Sequence, residues 1–288
     1  MARTRKSTSP SLKKRYGQHH LRSGDLCRPL VDFLRPKGER VVEIGPGGGV
    51  LTAELAAAGA RVWALEVDVE WACALQERRL PGVSVAASDA LRFDWSRLPP
   101  GALVTGNLPF NVGTRLIERI LAVAALAPER LPRLGFMVQK EVGDRLVAAP
   151  GDPAYGGLSV LVRAQASVRR LGLVAPGSFR PPPKVAAAFV GLSPRAPAYL
   201  SSPGGPGANS ASASERAEAF RKLVHLAFGL RRKTLRNSLA RGWGKARAEE
   251  AIAAAGLDPR ARAETRDVAE MVALLGASEA LAGGPAEA

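Results

Sequence analysis

Val41-Val42-Glu43-Ile44-Gly45-Pro46-Gly47-Gly48-Gly49 is the stretch on which the fold turns. Four residues suited to a buried strand run into a glycine-rich turn, and residues 50–58 then carry a helical pattern. Glycine lets a backbone turn tightly and approach a ligand closely. Outward from this stretch, strand and helix patterns alternate. Strands are expected at 61–65, 83–86, 103–105 and 134–138, with helices at 69–79 and 114–124 between them. A helix is expected from Ser23, with Leu26, Leu30 and Leu34 on one face, and a late strand at 187–192 closes the domain. The alternation predicts an α/β fold: a Rossmann-like, mostly parallel, doubly wound sheet.

Composition changes along the chain divide it. Residues 1–15 are a polar, basic arm expected to be disordered, and 16–194 hold the α/β domain. The Pro-, Gly- and Ser-rich stretch 195–214 reads as a flexible linker. Residues 215–278 carry helical periodicity, giving a small C-terminal all-helical domain, and 279–288 read as a disordered tail.

The 288 residues carry a formal net charge of +15, which points to a polyanionic partner, most simply nucleic acid. An acidic membrane surface is the rival partner, but no apolar run approaches the roughly 18 residues of a membrane span. The basic N-terminus leads into polar residues without an apolar core, so no secretory signal is expected. Cys27 and Cys73 lack metal-ligand spacing and fit reduced thiols in a cytoplasmic protein; His19, His20 and His225 show no metal spacing either, so no metal is expected.

The glycine-rich turn departs from the dinucleotide fingerprint, because Pro46 fills a variable slot and no pyrophosphate needs cradling. It is more typical of S-adenosylmethionine enzymes, with Gly45 and Gly47 at the cofactor. Glu66 ends the next strand and can accept hydrogen bonds from both ribose hydroxyls. Asp89, in Ser88-Asp89-Ala90 after the third strand, can accept from the cofactor's adenine amino group. The bland alternative is a tight turn with two surface acids; three such features in order at successive strand ends weigh against it.

Asn107-Leu108-Pro109-Phe110 follows the fourth strand. It combines an amide, two backbone carbonyls in a fixed turn and an aromatic face, which together can grip an amino group on a planar ring. The N6 lone pair of adenine is delocalised into its ring. Accepting hydrogen bonds from the two N–H groups, by the Asn107 side-chain oxygen and the Leu108 carbonyl, favours a tetrahedral nitrogen whose lone pair is free to attack. Carbonyl dipoles then stabilise developing positive charge in the transition state more than in the ground state. The alternative is a strand-ending turn anchored by Phe110.

With these residues in view, the chain resembles the ribosomal RNA adenine N6-dimethylases of the KsgA type, relatives of the Erm methylases. The resemblance runs from Tyr16 to Gly276. It rests on Gly17-Gln18-His19-His20-Leu21, the run from Glu43 to Thr52, Glu66, Ser88-Asp89-Ala90 and Asn107 to Phe110. It continues in Tyr155-Gly156-Gly157-Leu158-Ser159-Val160 and Phe179-Arg180-Pro181-Pro182-Pro183-Lys184-Val185. It implies S-adenosyl-L-methionine as cofactor. Gln18, His19 and Leu21 then close over its methionine end, Asn107 touches both cofactor and substrate, and Phe179 lines the base pocket opposite Phe110, with a base lifted from its stack between them. The implied reaction is dimethylation of two adjacent adenosines in the 3′-terminal hairpin of small-subunit (16S) rRNA, by a monomer acting on an immature small subunit. The chain departs from the housekeeping pattern at Phe110, where those enzymes carry Tyr, and at His20, where they carry Phe. An Erm-type methylase of large-subunit rRNA and a non-catalytic RNA-binding assembly factor are the alternatives.

Positive charge concentrates in the C-terminal domain. Arg221, Lys222, Arg231, Arg232, Lys233, Arg236, Arg241, Lys245 and Arg247 lie in an acid-free run from 219 to 248. Arg232, Lys233 and Arg236 are expected to share a helix face that meets RNA phosphates.

Overall fold

A computed structural model describes residues 10, 19–200, 212–230 and 232–283. The expected disordered arm apart from Pro10, most of the linker, the end of the tail, Gln18 and Arg231 lie outside the described residues. The chain divides into two compact units, 1–143 with 168–194, and 144–167 with 195–288.

The first unit opens with β1 (His20–Leu21) and α1 (Arg28–Leu34), which a short 3-10 turn at Gly24–Cys27 precedes. Then come β2 (Arg40–Ile44), α2 (Val50–Ala57), β3 (Arg61–Glu66), α3 (Val69–Glu77), β4 (Val83–Ala87), β5 (Leu103–Asn107), α4 (Gly113–Leu126) and β6 (Leu134–Gln139). The next elements in the chain are α5 (Lys140–Val147), α6 (Gly157–Arg163), β7 (Ala166–Val174), β8 (Phe179–Arg180) and β9 (Ala187–Pro194). Seven strands form one sheet in the order β4-β3-β2-β5-β6-β9-β7; β1 and β8 form a separate two-stranded ribbon. Pairings β2–β3, β2–β5, β3–β4 and β5–β6 are parallel, and β6–β9 is antiparallel.

The expected doubly wound sheet is therefore present, and every expected strand is found within a residue or two of its place. The central strands β2, β5 and β6 read as near-continuous apolar runs because both their faces are covered. Leu30, Leu34, Val41, Leu55, Leu103 and Phe189 pack in one core cluster. On β6 and β9, Gly135 stands opposite Gly191. A Cβ on Gly191 would come within 2.8 Å of the Phe33 ring, so the bare backbone there seats α1 against the sheet. The sequence reading missed β7: its Arg169 and Arg170 disguise an apolar pattern, as charges often do on sheet edges.

The second unit holds α6 and four later helices: α7 (Ala213–Phe228), α8 (Leu235–Trp243), α9 (Lys245–Ala254) and α10 (Val268–Gly283). Its core gathers Tyr155, Val160, Phe220, Leu239, Ile252 and Met271. Three boundaries differ from the sequence reading. Residues 144–167 group with the helical unit rather than with the α/β domain. The linker is shorter than 195–214: Tyr199 is buried and stacks on Phe220 at 4.9 Å, and α7 already starts at Ala213 behind a capping box of Ser212 and Glu215. The last helix runs past 278 to Gly283, with Glu279 paired to the buried Arg216 at 3.2 Å.

Candidate active site

The strand order reverses between β2 and β5, and a cavity of about 230 Å³ opens at their carboxyl ends. Open α/β sheets hold ligands at such a switch point. The loop after β2 supplies Gly45 and Gly47 to the cavity, at φ of 63° and 50°. Side chains rarely adopt that left-handed region. A Cβ on Gly47 would also lie 2.6 Å from His20 Nε2.

Glu66 ends β3 and is only 3% exposed, yet it lines the cavity. One carboxylate oxygen accepts from the Gly47 amide and the other from the Asp68 amide, each at 3.0 Å. Burial pushes its pKa up, and those two amides oppose the shift. The contact with Gly47 ties the acid to the glycine loop, a link that spacing alone did not reveal. Beside it Val67 is 42% exposed, an apolar side chain facing the cavity rather than the core. Asp89 follows β4, its Oδ1 accepting from the Leu91 amide at 2.9 Å.

Asn107, Leu108, Pro109 and Phe110 follow β5 and line the same cavity. The Leu108 amide donates to the Met137 carbonyl at 3.0 Å, and the Pro109 carbonyl accepts from Val112 and Gly113, which closes the turn into α4. Asn107 Nδ2 donates to the His19 carbonyl at 2.7 Å. A carbonyl can only accept, so this contact fixes which way the amide faces and leaves Oδ1 to accept from another group. The His19 ring stacks on Phe110 at 5.5 Å, and its Nδ1 lies 2.9 Å from the Pro181 carbonyl.

Cavity residues His19, Gly45, Gly47, Glu66, Asp89, Asn107, Leu108, Pro109 and Phe110 are thus brought together as expected from the sequence. Two are not. Phe179 is 0% exposed and sits in the core, paired with Leu21 across the β1–β8 ribbon, so it does not line the cavity opposite Phe110. Leu21 likewise packs in the core, although it also borders a small adjoining cavity of about 30 Å³ with Gly45 and Asn107. The apolar side chains of Phe179 and Leu21 anchor the ribbon that follows His19, whose carbonyl holds Asn107. Ile44, Leu65, Val67, Leu91 and Val112 also line the cavity and were not singled out as site residues in the sequence. The available signal was their position: each lies next to a polar residue already singled out, or on the strand and turn that carry it.

A family model described as ribosomal RNA adenine dimethylase matches residues 10–277. The chain belongs to the ribosomal RNA adenine dimethylase family. It is 41% identical to the ribosomal RNA small subunit methyltransferase A of Phenylobacterium zucineum, over 96% of this chain and 91% of that one. It is 38% identical to the protein of the same name from Aromatoleum aromaticum, over 91% and 92%. Among solved structures, a dimethyladenosine transferase from Plasmodium falciparum superposes with a TM-score of 0.69 at 20% identity, covering 89% of this chain and 96% of that one. The 23S rRNA methyltransferase ErmE gives 0.63 at 23%, covering 90% and 99%. Both share the fold.

The methyl donor of this dimethylase is S-adenosyl-L-methionine. The cavity fits its adenosine: a buried, amide-held carboxylate suits a ribose diol, and the apolar side chains of Val67 and Leu91 suit the faces of a purine. Among the described residues no cluster of His, Cys, Asp or Glu has the makings of a metal site, and no helix is long and apolar enough to cross a membrane.

In the dimethylase's helical unit the expected cationic face takes a different form. Thr234 caps α8, so Arg232 and Lys233 precede the helix instead of sharing a face with Arg236. Arg221 makes a two-pronged ion pair with Glu218 at 2.7 and 2.8 Å, Lys222 lies 3.8 Å from the same carboxylate, and Arg236 pairs with Glu249 at 3.2 Å. Lys233, Arg236, Arg241 and Lys245 instead line a groove of about 430 Å³.

Proposed function

We propose that this protein, acting as a monomer in the cytoplasm, dimethylates N6 of two adjacent adenosines in the 3′-terminal hairpin of small-subunit rRNA, within an immature small subunit. The observation that carries the reading is the orientation of Asn107. Its Nδ2 is committed to the His19 carbonyl, so Oδ1 is the group offered to an incoming amine. The relatives named as small subunit methyltransferases cover more than nine-tenths of this chain, which supports the choice of subunit.

S-adenosyl-L-methionine supplies an electrophilic methyl carried on a sulfonium. Glu66 holds the ribose, and Asp89 accepts from the cofactor's adenine amine. Asn107 Oδ1 and the Leu108 carbonyl accept the two N–H bonds of the target amine, and the Phe110 face supports its ring. Holding nucleophile and methyl in line accounts for several of the roughly 7–11 kcal/mol that proximity can contribute. The alkylated nitrogen is a strong acid and releases its proton to water without a general base. No metal enters this chemistry. Lys233, Arg241 and Lys245 hold RNA phosphates from the helical unit.

The test is methyl transfer from labelled cofactor to immature small and large subunits, followed by mass spectrometry of the nucleosides. Dimethyladenosine in the small-subunit hairpin is the expected result. Label in the large subunit alone would instead support the Erm-type reading that Phe110 suggests, and absence of label from both would support a binding protein.

A further inference from the structure

A second concavity lies on the first unit and shares His20 and Gly47 with the cofactor cavity. It is an open trough of about 730 Å³, and its lining includes Arg22, Arg78, Arg180, Trp71, Gly48 and Val50. Three guanidinium groups border it, and among the described residues no carboxylate does. The first turn of α2 also opens onto it at Val50, and the N-terminal end of a helix favours negative charge.

How these arginines are held sets them apart from structural ion pairs. Arg78 donates through Nη1 to the Gly48 carbonyl at 2.6 Å. It lies so close over the loop that a Cβ on Gly49 would come within 2.6 Å of the same nitrogen. Arg22 donates through Nε to the Phe179 carbonyl at 3.1 Å. Both are positioned by neutral carbonyls, which leave the charge and most of the five N–H donors of each guanidinium unspent. The Arg180 side chain makes no hydrogen bond or ion pair among the described residues. Elsewhere Arg221, Arg236, Arg262 and Arg266 each meet a carboxylate, while Arg130 and Arg195 are also held by backbone carbonyls; what marks the trough is three cations around one concavity.

We propose that this trough binds the phosphodiester backbone of the RNA strand that carries the target adenine, with Arg22, Arg78 and Arg180 as its phosphate contacts. The inference rests on the reading of the substrate as structured rRNA. An open trough bordered by several cations suits a chain of phosphates better than one anion. Guanidinium groups prepositioned by backbone carbonyls lose little freedom on binding phosphate. Arg78 joins this surface to the loop that holds the cofactor, because one guanidinium touches both the trough and Gly48.

The test measures binding of full-length protein to immature small subunits across a salt series, with Arg180→Gln, Arg22→Gln and Arg22→Lys. Removing one cation from a phosphate should flatten the slope of log K against log salt by about 0.7–0.9. Arg180→Gln and Arg22→Gln should each have this effect, and Arg22→Lys should keep the wild-type slope. Calorimetry with S-adenosyl-L-methionine confirms that each variant is folded and that its cofactor cavity is intact. Wild-type slopes in both Gln variants, with cofactor binding retained, would overturn the proposal. So would a trough that serves free anions only, seen as protection of wild type but not of Arg180→Gln by inorganic phosphate, with RNA slopes unchanged. The wild-type protein's site of methylation tests the substrate reading separately: methyl transfer to the large subunit would move the slope measurements to that RNA without deciding them.

Discussion

The cavity of the first unit and the cations of the second were both read from short runs of residues, and they fared differently. The cavity residues stand where the sequence put them, because each is tied to the end of a strand whose register in the sheet is fixed: Ile44 pairs with Leu65 and with Gly106, and Asn107 pairs with Met137. The cations were read as an acid-free run. The acids that matter, Glu218 and Glu249, lie just outside that run and reach back into it through a helical turn and a helix–helix contact. A function resting on backbone position is legible along the chain. One resting on net local charge depends on which side chains meet, and linear distance does not report that.

The sharpest way to break the first half of this comparison is Asn107→Ala. Removing a preorganised group that meets developing charge costs roughly 10²–10³ in kcat, and here the loss should reach that range or exceed it. Cofactor affinity should be largely spared, because Glu66 and the glycine loop are untouched. The check is single-turnover methylation beside calorimetric titration with the cofactor. A near-normal rate would remove the amine-gripping role from Asn107. A parallel loss of cofactor affinity would mean that the contact with the His19 carbonyl holds the cofactor pocket rather than the substrate.

The same contrast predicts a ranking among the cations of the helical unit. Arg241 and Lys245 border the groove with no ion pair among the described residues, whereas Arg221 sits in a two-pronged pair and Arg236 shares its charge with Glu249. Arg221 also holds the Glu218 carboxyl below its ordinary pKa. Arg241→Gln and Lys245→Gln should each flatten the salt dependence of RNA binding by nearly one phosphate contact, as judged by filter binding. Arg221→Gln should do much less, because the phosphate gains only what the carboxylate gives up. Equal slopes for Arg221→Gln and Arg241→Gln would show that RNA displaces the ion pairs, and the run as first read would then be the correct surface.

Legibility fails in a consistent way elsewhere too. Phe179 was assigned to the base pocket on resemblance, but its ring is a core anchor, and only the pairing of β1 with β8 shows what it holds in place. Val67 went unnoticed although it follows Glu66, since an exposed valine is unremarkable until the cavity beside it is seen. The Glu66–Gly47 bond joins two motifs that were read separately. Residue types and strand ends can be found in a linear pattern. Contacts that cross from one motif to another need the register of the sheet.

Glu43 offers the finest test of that limit. Its place at the end of β2 was legible, but its protonation state was not. It is 1% exposed, and burial, reinforced by the nearby charge of Glu66, raises its pKa to about 8 from an ordinary 4.5. Between those values the folded chain holds a proton that the unfolded chain has released. Stability from this group is therefore fully present below about 4.5, falls as pH rises, and is lost above about 8. Glu43→Gln replaces the protonated acid with a neutral group of the same shape, so it should melt near wild type in acid and above wild type at alkaline pH. Because both proteins share every other titrating group, the difference between their melting temperatures reports this carboxyl together with its charge coupling to Glu66 and Cys27. The expected effect is a gap that opens between about pH 5 and about pH 9. A gap that stays constant over that range would mean that Glu43 is ionised in the folded protein, with its charge compensated beneath the glycine loop.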